Sequence, residues 1–236
     1  VFVEKICVRA IHPVILNGFN SKIKSMKTKT LVIFGILAAM LSGCLVKSMH
    51  PFFDESDVVY KPGLIGTWID NDSAKWVISQ FTFPKKLFEP DSLDNSYLVE
   101  FYESTEYPSK FNAHLFKVGG FWFLDFFPIE ADSDQELYVY HFIPAHSVAR
   151  IRFDSDRSMS ISWFGEDWLQ NLFEENRIKI SHEMVRGDET GYGTQYILTA
   201  STDELKKFLS KYGNDPDVFN EDDDKNFLTL KLNRAN

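Results

Sequence analysis

From residue 64 onward the chain is cut into short runs of aromatic and β-branched residues separated by turn formers, which is a pattern of strands rather than helices. Positions 64–69 lead into the turn-like Asp70-Asn71-Asp72-Ser73. Positions 75–83 read KWVISQFTF and stop at Pro84. Positions 97–103 alternate, with Leu98, Glu100 and Tyr102 on one side and Val99, Phe101 and Glu103 on the other. Positions 111–118 alternate through Phe111, Ala113 and Leu115, and Gly119-Gly120 then supplies a two-residue hairpin turn. Positions 121–127, 137–143, 148–153 and 158–163 complete the series, the last two joined by Asp154-Ser155-Asp156-Arg157. About eight strands with mostly short links are expected to run up and down, because a parallel neighbour needs a crossover of roughly a dozen residues.

A meander of this size avoids raw edges most simply by closing on itself. The expected fold is mainly β, of the α+β kind: an antiparallel up-and-down meander forming a barrel or half-barrel, with two C-terminal helices and an extra hairpin. The first helix follows from Trp168, Leu169, Leu172 and Phe173, opened by Gly165 or Asp167. Positions 178–186 and 195–199 read as the hairpin, around the glycine-rich stretch 187–193. Ser201-Thr202-Asp203-Glu204 is a capping box that starts the second helix, with Leu205, Phe208 and Leu209 inward and Gly213 as its stop. Positions 227–232 alternate as a last strand. No linker-like stretch interrupts the pattern, so 63–236 is expected to be one domain.

Gly66-Thr67-Trp68 resembles the Gly-x-Trp of lipocalins and related calycins. That resemblance implies a lipocalin-like barrel over 64–163, with Trp68 plugging one end and an interior that takes a small apolar ligand. Positions 121–127 are apolar at both parities except Asp125, so one set of side chains faces the interior and the other needs cover from the helices. Trp68, Phe121, Trp122 and Phe123 are the expected pocket residues. The competing expectation is a filled core, because the chain carries 22 Phe, 9 Tyr and 5 Trp.

The N-terminal part reads as an address. Positions 31–41, LVIFGILAAML, are eleven apolar residues without charge. A spanning helix needs about 20, whereas eleven suits the core of a secretory signal. Met26-Lys27-Thr28-Lys29-Thr30 precedes it, and Leu41-Ser42-Gly43-Cys44 follows and resembles the lipobox of bacterial lipoproteins. The resemblance implies a diacylglyceryl group on the Cys44 sulfur, cleavage between Gly43 and Cys44, and acylation of the new amino group. On this division 26–43 is the signal peptide, 44–62 the lipidated cysteine and a tether, and 1–25 a mis-assigned start or an extended n-region. Met49-His50-Pro51-Phe52-Phe53, within the tether, has two adjacent Phe that suit folding back onto the domain. Leu45, where an Asp resembles an inner-membrane retention signal, leans to the outer membrane. The chain as a whole also resembles a group of uncharacterised bacterial envelope lipoproteins, through Met49-His50-Pro51-Phe52, Gly66-Thr67-Trp68 and the helix entry from Leu198 to Leu205; no activity follows from that likeness.

The formal charge is −9, which argues against a nucleic-acid partner, since neutralising phosphates takes a basic face. Removal of 1–43, with six basic residues and Glu4, leaves 193 residues at −14. Acyl chains rather than a basic patch must then hold the body to a membrane. Cys7 and Cys44 are the only cysteines, so the body has no disulfide.

Catalytic signals are sparse. His182-Glu183-Met184-Val185-Arg186 begins like a zinc-protease motif but has Arg186 where the second His belongs. His114, His141 and His146 fall on or next to strands and would bind zinc only if those strands converged. Asp125, in an apolar run, needs a partner, with Arg150 or Arg152 the candidates. The acidic set Asp215, Asp217 and 221–224 lacks the glycine and third ligand of a calcium loop. The expected function is a non-enzymatic binding or interaction module, for a small apolar ligand or an envelope protein, with no cofactor beyond the acyl groups on Cys44. The alternative is an envelope hydrolase with an unrecognised site around His114, Asp125, His141 or His146.

Overall fold

The computed structural model describes residues 45–82, 93–103, 107–129, 143–185, 195–215, 218–219 and 228–235. The stretches expected as a signal segment and lipobox, with Gly43 and Cys44, together with His141, the glycine-rich 187–193 and the acidic Asp217 and 221–224, lie outside them. The 45–236 portion forms one compact unit.

Seven strands follow one another as hairpins: β2 (Gly66–Ile69), β3 (Lys75–Thr82), β4 (Leu93–Tyr102), β5 (Ser109–Val118), β6 (Phe121–Pro128), β7 (His146–Ser155) and β8 (Ser158–Trp163). The C-terminal β11 (Thr229–Arg234) pairs between β8 and β2, and all these pairings are antiparallel. The result is a closed eight-stranded barrel of lipocalin-like form. Its eighth strand is the C-terminal one; of the strand expected at 137–143 only Ile143 is described, and it lies in irregular backbone. Gly119 and Gly120 make the tight β5–β6 turn with φ of +59° and +91°, a region costly for residues with a Cβ.

Three strands lie outside the ring. β1 (Lys47–Ser48) runs antiparallel to the start of β7 and parallel to β10 (Gln195–Leu198), which pairs with β9 (His182–Val185) as the expected hairpin. Helix α1 (Glu166–Glu174) opens at Gly165, and α2 (Thr202–Tyr212) opens on the Ser201–Glu204 capping box. Gly213 ends α2 with ordinary right-handed backbone. Its requirement is steric: a Cβ there would stand 2.6 Å from the Leu209 carbonyl and 2.9 Å from the Phe123 ring.

The stretch expected as a tether belongs to the fold. Val46, Ser48 and Phe52 are buried, the Val46 N–H donates to the Phe164 carbonyl (3.1 Å), and the Val59 N–H donates to the Leu115 carbonyl (2.7 Å). Apolar Val46 and Phe52 join outward barrel side chains and residues of both helices in one core cluster, which is why the segment docks instead of staying in solvent.

Strand register sorts the barrel's two faces. Trp76, Phe101, Phe111, Phe126 and Trp163 point inward and form a continuous aromatic layer, with ring centroids 4.6 Å apart for Trp76–Phe101, 6.2 Å for Trp76–Trp163, 5.7 Å for Phe126–Trp163 and 6.0 Å for Phe111–Phe126. This layer fills the upper end, which carries the β4–β5 and β6–β7 connections. The lower end carries the Gly119-Gly120 and Asp156-Arg157 turns. There the chain from Tyr60 to Leu64 crosses the mouth. Tyr60 stacks on Tyr97 at 5.4 Å, and the Tyr97 hydroxyl accepts the Lys61 N–H (2.6 Å) and donates to the Lys61 carbonyl (3.3 Å).

Burial pushes the Tyr97 hydroxyl up to about 12 from an ordinary 10. The unfolded chain therefore loses a proton between these values that the folded chain keeps. Stability should be flat with respect to this group below pH 10 and fall as pH rises through that window. Denaturant midpoints measured against pH should show the fall in the wild type and a shallower one in Tyr97→Phe.

Candidate functional site

Two places were expected to carry function: the barrel interior and the polar residues around Asp125. In the interior, Trp68 is buried and inward, its Nε1–H donating to the Leu64 carbonyl at 2.9 Å. Arg234 covers its other face, with the guanidinium carbon 4.3 Å from the ring centroid and Nη1 donating to the Ile65 carbonyl at 2.8 Å; Nη2 donates to the Gly63 carbonyl. Gly66 lies beneath this guanidinium, with φ +146°, a backbone conformation that favours glycine. Trp122 also faces inward, opposite Ile151, and is half-buried under the Lys61 ammonium at 4.4 Å.

Phe121 and Phe123 do not line the interior. Register places them on the outward parity, and both rings pack on Gly213 at the end of α2. Phe123 is fully buried there and stacks on Phe116 (5.7 Å). A nearly uniform apolar run does not by itself tell inward from outward, and the helices take the face that carries Phe121 and Phe123.

Between the two ends, Ile78, Val99, Leu115, Leu124, Ile151, Met159, Ile161 and Leu232 are at most 3% exposed. These eight side chains bury the middle of the barrel, whereas Phe111, Trp122, Phe153 and Trp163, inward by register, are only part-buried towards its two ends.

The polar residues around Asp125 do meet, on the outer face. Asp125 is fully buried on β6 directly opposite His114 of β5. Its Oδ1 lies 2.7 Å from His146 Nδ1 at the start of β7, and its Oδ2 accepts the Phe52 N–H at 3.0 Å. Phe53 stacks on His114 (4.4 Å) and Phe127 packs against His146 (4.6 Å), so the N-terminal segment roofs the cluster. Asn112, on the same face of β5, has a buried Oδ1 with no donor among the described residues. The expected arginine partners lie elsewhere. Arg150 donates to the Gly213 carbonyl (3.1 Å) at the C-terminal end of α2, where a cation is favoured, and Arg152 pairs with Asp154 at 2.7 Å.

Ser48 stands opposite His146 in the β1–β7 ladder, which sets a Ser, a His and an Asp on one face. A serine nucleophile must present its oxygen to substrate. Ser48 is fully buried, its Oγ donates to the Leu198 carbonyl (3.4 Å) and accepts the His50 N–H (3.2 Å). In this arrangement the three residues join strands. His182 is also structural: its ring stacks on Phe173 at 3.8 Å and Nδ1 lies 2.9 Å from the Ile180 carbonyl. Among the described residues no group of three His, Cys, Asp or Glu has metal-binding geometry, and no helix is long and apolar enough to cross a membrane.

Sequence reasoning singled out Asp125 but missed Ser48 and the Phe52 N–H. A backbone donor has no residue signature, and a two-residue strand is too short to show a period. Comparison with protein-family models, curated proteins and solved structures found no match.

The Asp125 cluster should behave as a clamp. Asp125→Ala strands the Phe52 N–H and should cost roughly 1–3 kcal/mol, while Asp125→Asn keeps an acceptor and should cost less. Urea unfolding gives the stabilities, and limited proteolysis should show faster cutting near Phe52 and Phe53 in the Ala variant.

Proposed function

We propose that the chain is a cell-envelope lipoprotein, acylated at Cys44 and held at a membrane, whose barrel acts as a non-enzymatic binding or interaction module. The observation that carries this is the ordered series of basic Lys27 and Lys29, the apolar stretch 31–41 and Leu41-Ser42-Gly43-Cys44. The outer membrane is the favoured location, on the identity of Leu45.

The buried side chains across the middle of the barrel support a binding surface on its outside over an apolar ligand within it. Partners of this module are then envelope proteins or other surface ligands, with no nucleic acid at this charge. A hydrolase is the second reading, and the Asp125–His146 pair is what favours it. The two differ in what His146→Gln does: loss of a hydrolytic activity with intact folding supports the enzyme.

Cys44→Ala should abolish incorporation of radiolabelled palmitate and release the protein from the membrane fraction. Persistent labelling of the variant would exclude Cys44 as the acylated residue.

A further inference from the structure

The lower mouth of the barrel brings two cations onto one ring. Trp122 on β6 and Phe153 on β7 both face inward by register and meet edge to face, with centroids 6.3 Å apart. The Lys61 ammonium lies over both, 4.4 Å from the Trp122 centroid and 4.9 Å from that of Phe153. Lys117, directly across from Trp122 on β5, brings a second ammonium to 5.3 Å from the same indole. Lys61 is fixed through its backbone: its N–H donates to the Tyr97 hydroxyl, which donates in turn to its carbonyl. The Gly119-Gly120 and Asp156-Arg157 turns, which join these strand ends to their neighbours, belong to the described structure.

Neither ammonium has a carboxylate partner among the described residues. Asp57 is taken by Lys206, Asp154 by Arg152 and the Ser160 hydroxyl, and Asp156 pairs with neither lysine. The chain has 34 acidic against 25 basic side chains, so two lysines that converge without an acid stand against its general balance. Like charges held close repel, and an aromatic face offsets only part of that. An anion at this place removes the repulsion. The mouth is also open to solvent. Lys117 points inward by register but is exposed, and Trp122 and Phe153 are part-buried. Leu115, Leu124 and Ile151, one inward position deeper on the same three strands, are buried and form an apolar floor.

We propose that the lower mouth binds a small organic anion with a flat apolar body, its charge against the Lys61 and Lys117 ammonium groups and its body on Trp122 and Phe153. Each lysine has three donors on a flexible stem, so two of them reach one anionic group from different elements of the fold. The part-buried rings give that molecule an apolar wall, and few charged groups placed beside such a wall are what fix a small ligand's orientation. A neutral apolar molecule leaves both charges without a counterion, and a bare inorganic anion makes no use of the rings. The site goes beyond the outer interaction surface proposed above and does not depend on acylation of Cys44.

Isothermal titration of the full-length protein in nonionic detergent, against a matched detergent blank, tests this with 1-naphthoate and with 1-naphthylmethanol, which has the same rings without the charge. Naphthoate should bind at one site, several-fold more tightly than the alcohol, and its affinity should fall as salt rises. Lys61→Gln and Lys117→Gln should each weaken naphthoate by about tenfold, the loss expected for a charge-assisted bond, and leave the alcohol unchanged. Lys117→Arg keeps the cation and should keep most of the affinity. Circular dichroism establishes that the variants fold, and the salt dependence and the comparison of the two probes need no variant. No saturable binding of naphthoate, equal affinity for acid and alcohol, or wild-type affinity in both glutamine variants would each overturn the proposal. None of these results bears on the lipoprotein reading, which the palmitate labelling of Cys44 decides separately.

Discussion

The barrel closes through the seam between β11 and β2, and that seam is narrow. Backbone pairing there is confined to Asn233 with Ile69 and Arg234 with Trp68. Arg234 reinforces it from the side-chain level, lying over Trp68 while its guanidinium holds the Ile65 and Gly63 carbonyls. A neighbouring backbone bond adds to it: the Ala235 N–H donates to the Thr67 carbonyl. Without this seam β2 and β11 would both be edges, and the inward faces of Trp68, Met159 and Leu232 would open to water.

Closure makes the barrel wall a layer with two apolar faces. Inward side chains fill the interior, from the aromatic layer around Trp76 and Trp163 down to the Tyr60–Leu64 crossing. Outward, Phe116, Phe123 and Val148 join Leu169, Leu172, Leu205, Phe208 and Leu209 of the two helices, with Val46 and Phe52 of the N-terminal segment. Among the described residues of that outer face, Asp125 is a fully buried carboxylate. Burying a carboxylate is tolerable because Phe52 and His146 occupy its oxygens. One side chain thus ties the segment that follows Cys44 to β6 and β7.

Local structure was legible in the sequence where local chemistry decides it. Gly119-Gly120 demanded a tight turn, and Ser201 with Glu204 demanded a helix start. Long-range pairings were not legible. That β11 closes the ring is decided by contacts some 160 residues apart, such as the bond from the Lys231 N–H to Asn71 Oδ1. The run 121–127 was correctly suspected of having two covered faces, yet its uniform apolarity hid that Trp122 is inward and Phe121 and Phe123 outward. The partner of Asp125 escaped because half of it is a backbone amide. Residues 45–48 escaped because so short a strand, inserted between β7 and β10, has no periodicity.

The central claim is that the chain enters the barrel fold directly after Cys44, with no mobile spacer. Hydrogen–deuterium exchange of the full-length protein, resolved over 45–62 by mass spectrometry, tests it most directly. Protection of the Val46, Met49 and Phe52 amides comparable with that of β5 and β6 is the predicted result, because each donates to a fixed acceptor within the fold. Exchange of those amides at the rate of an unstructured chain, with the barrel strands still protected, would contradict it.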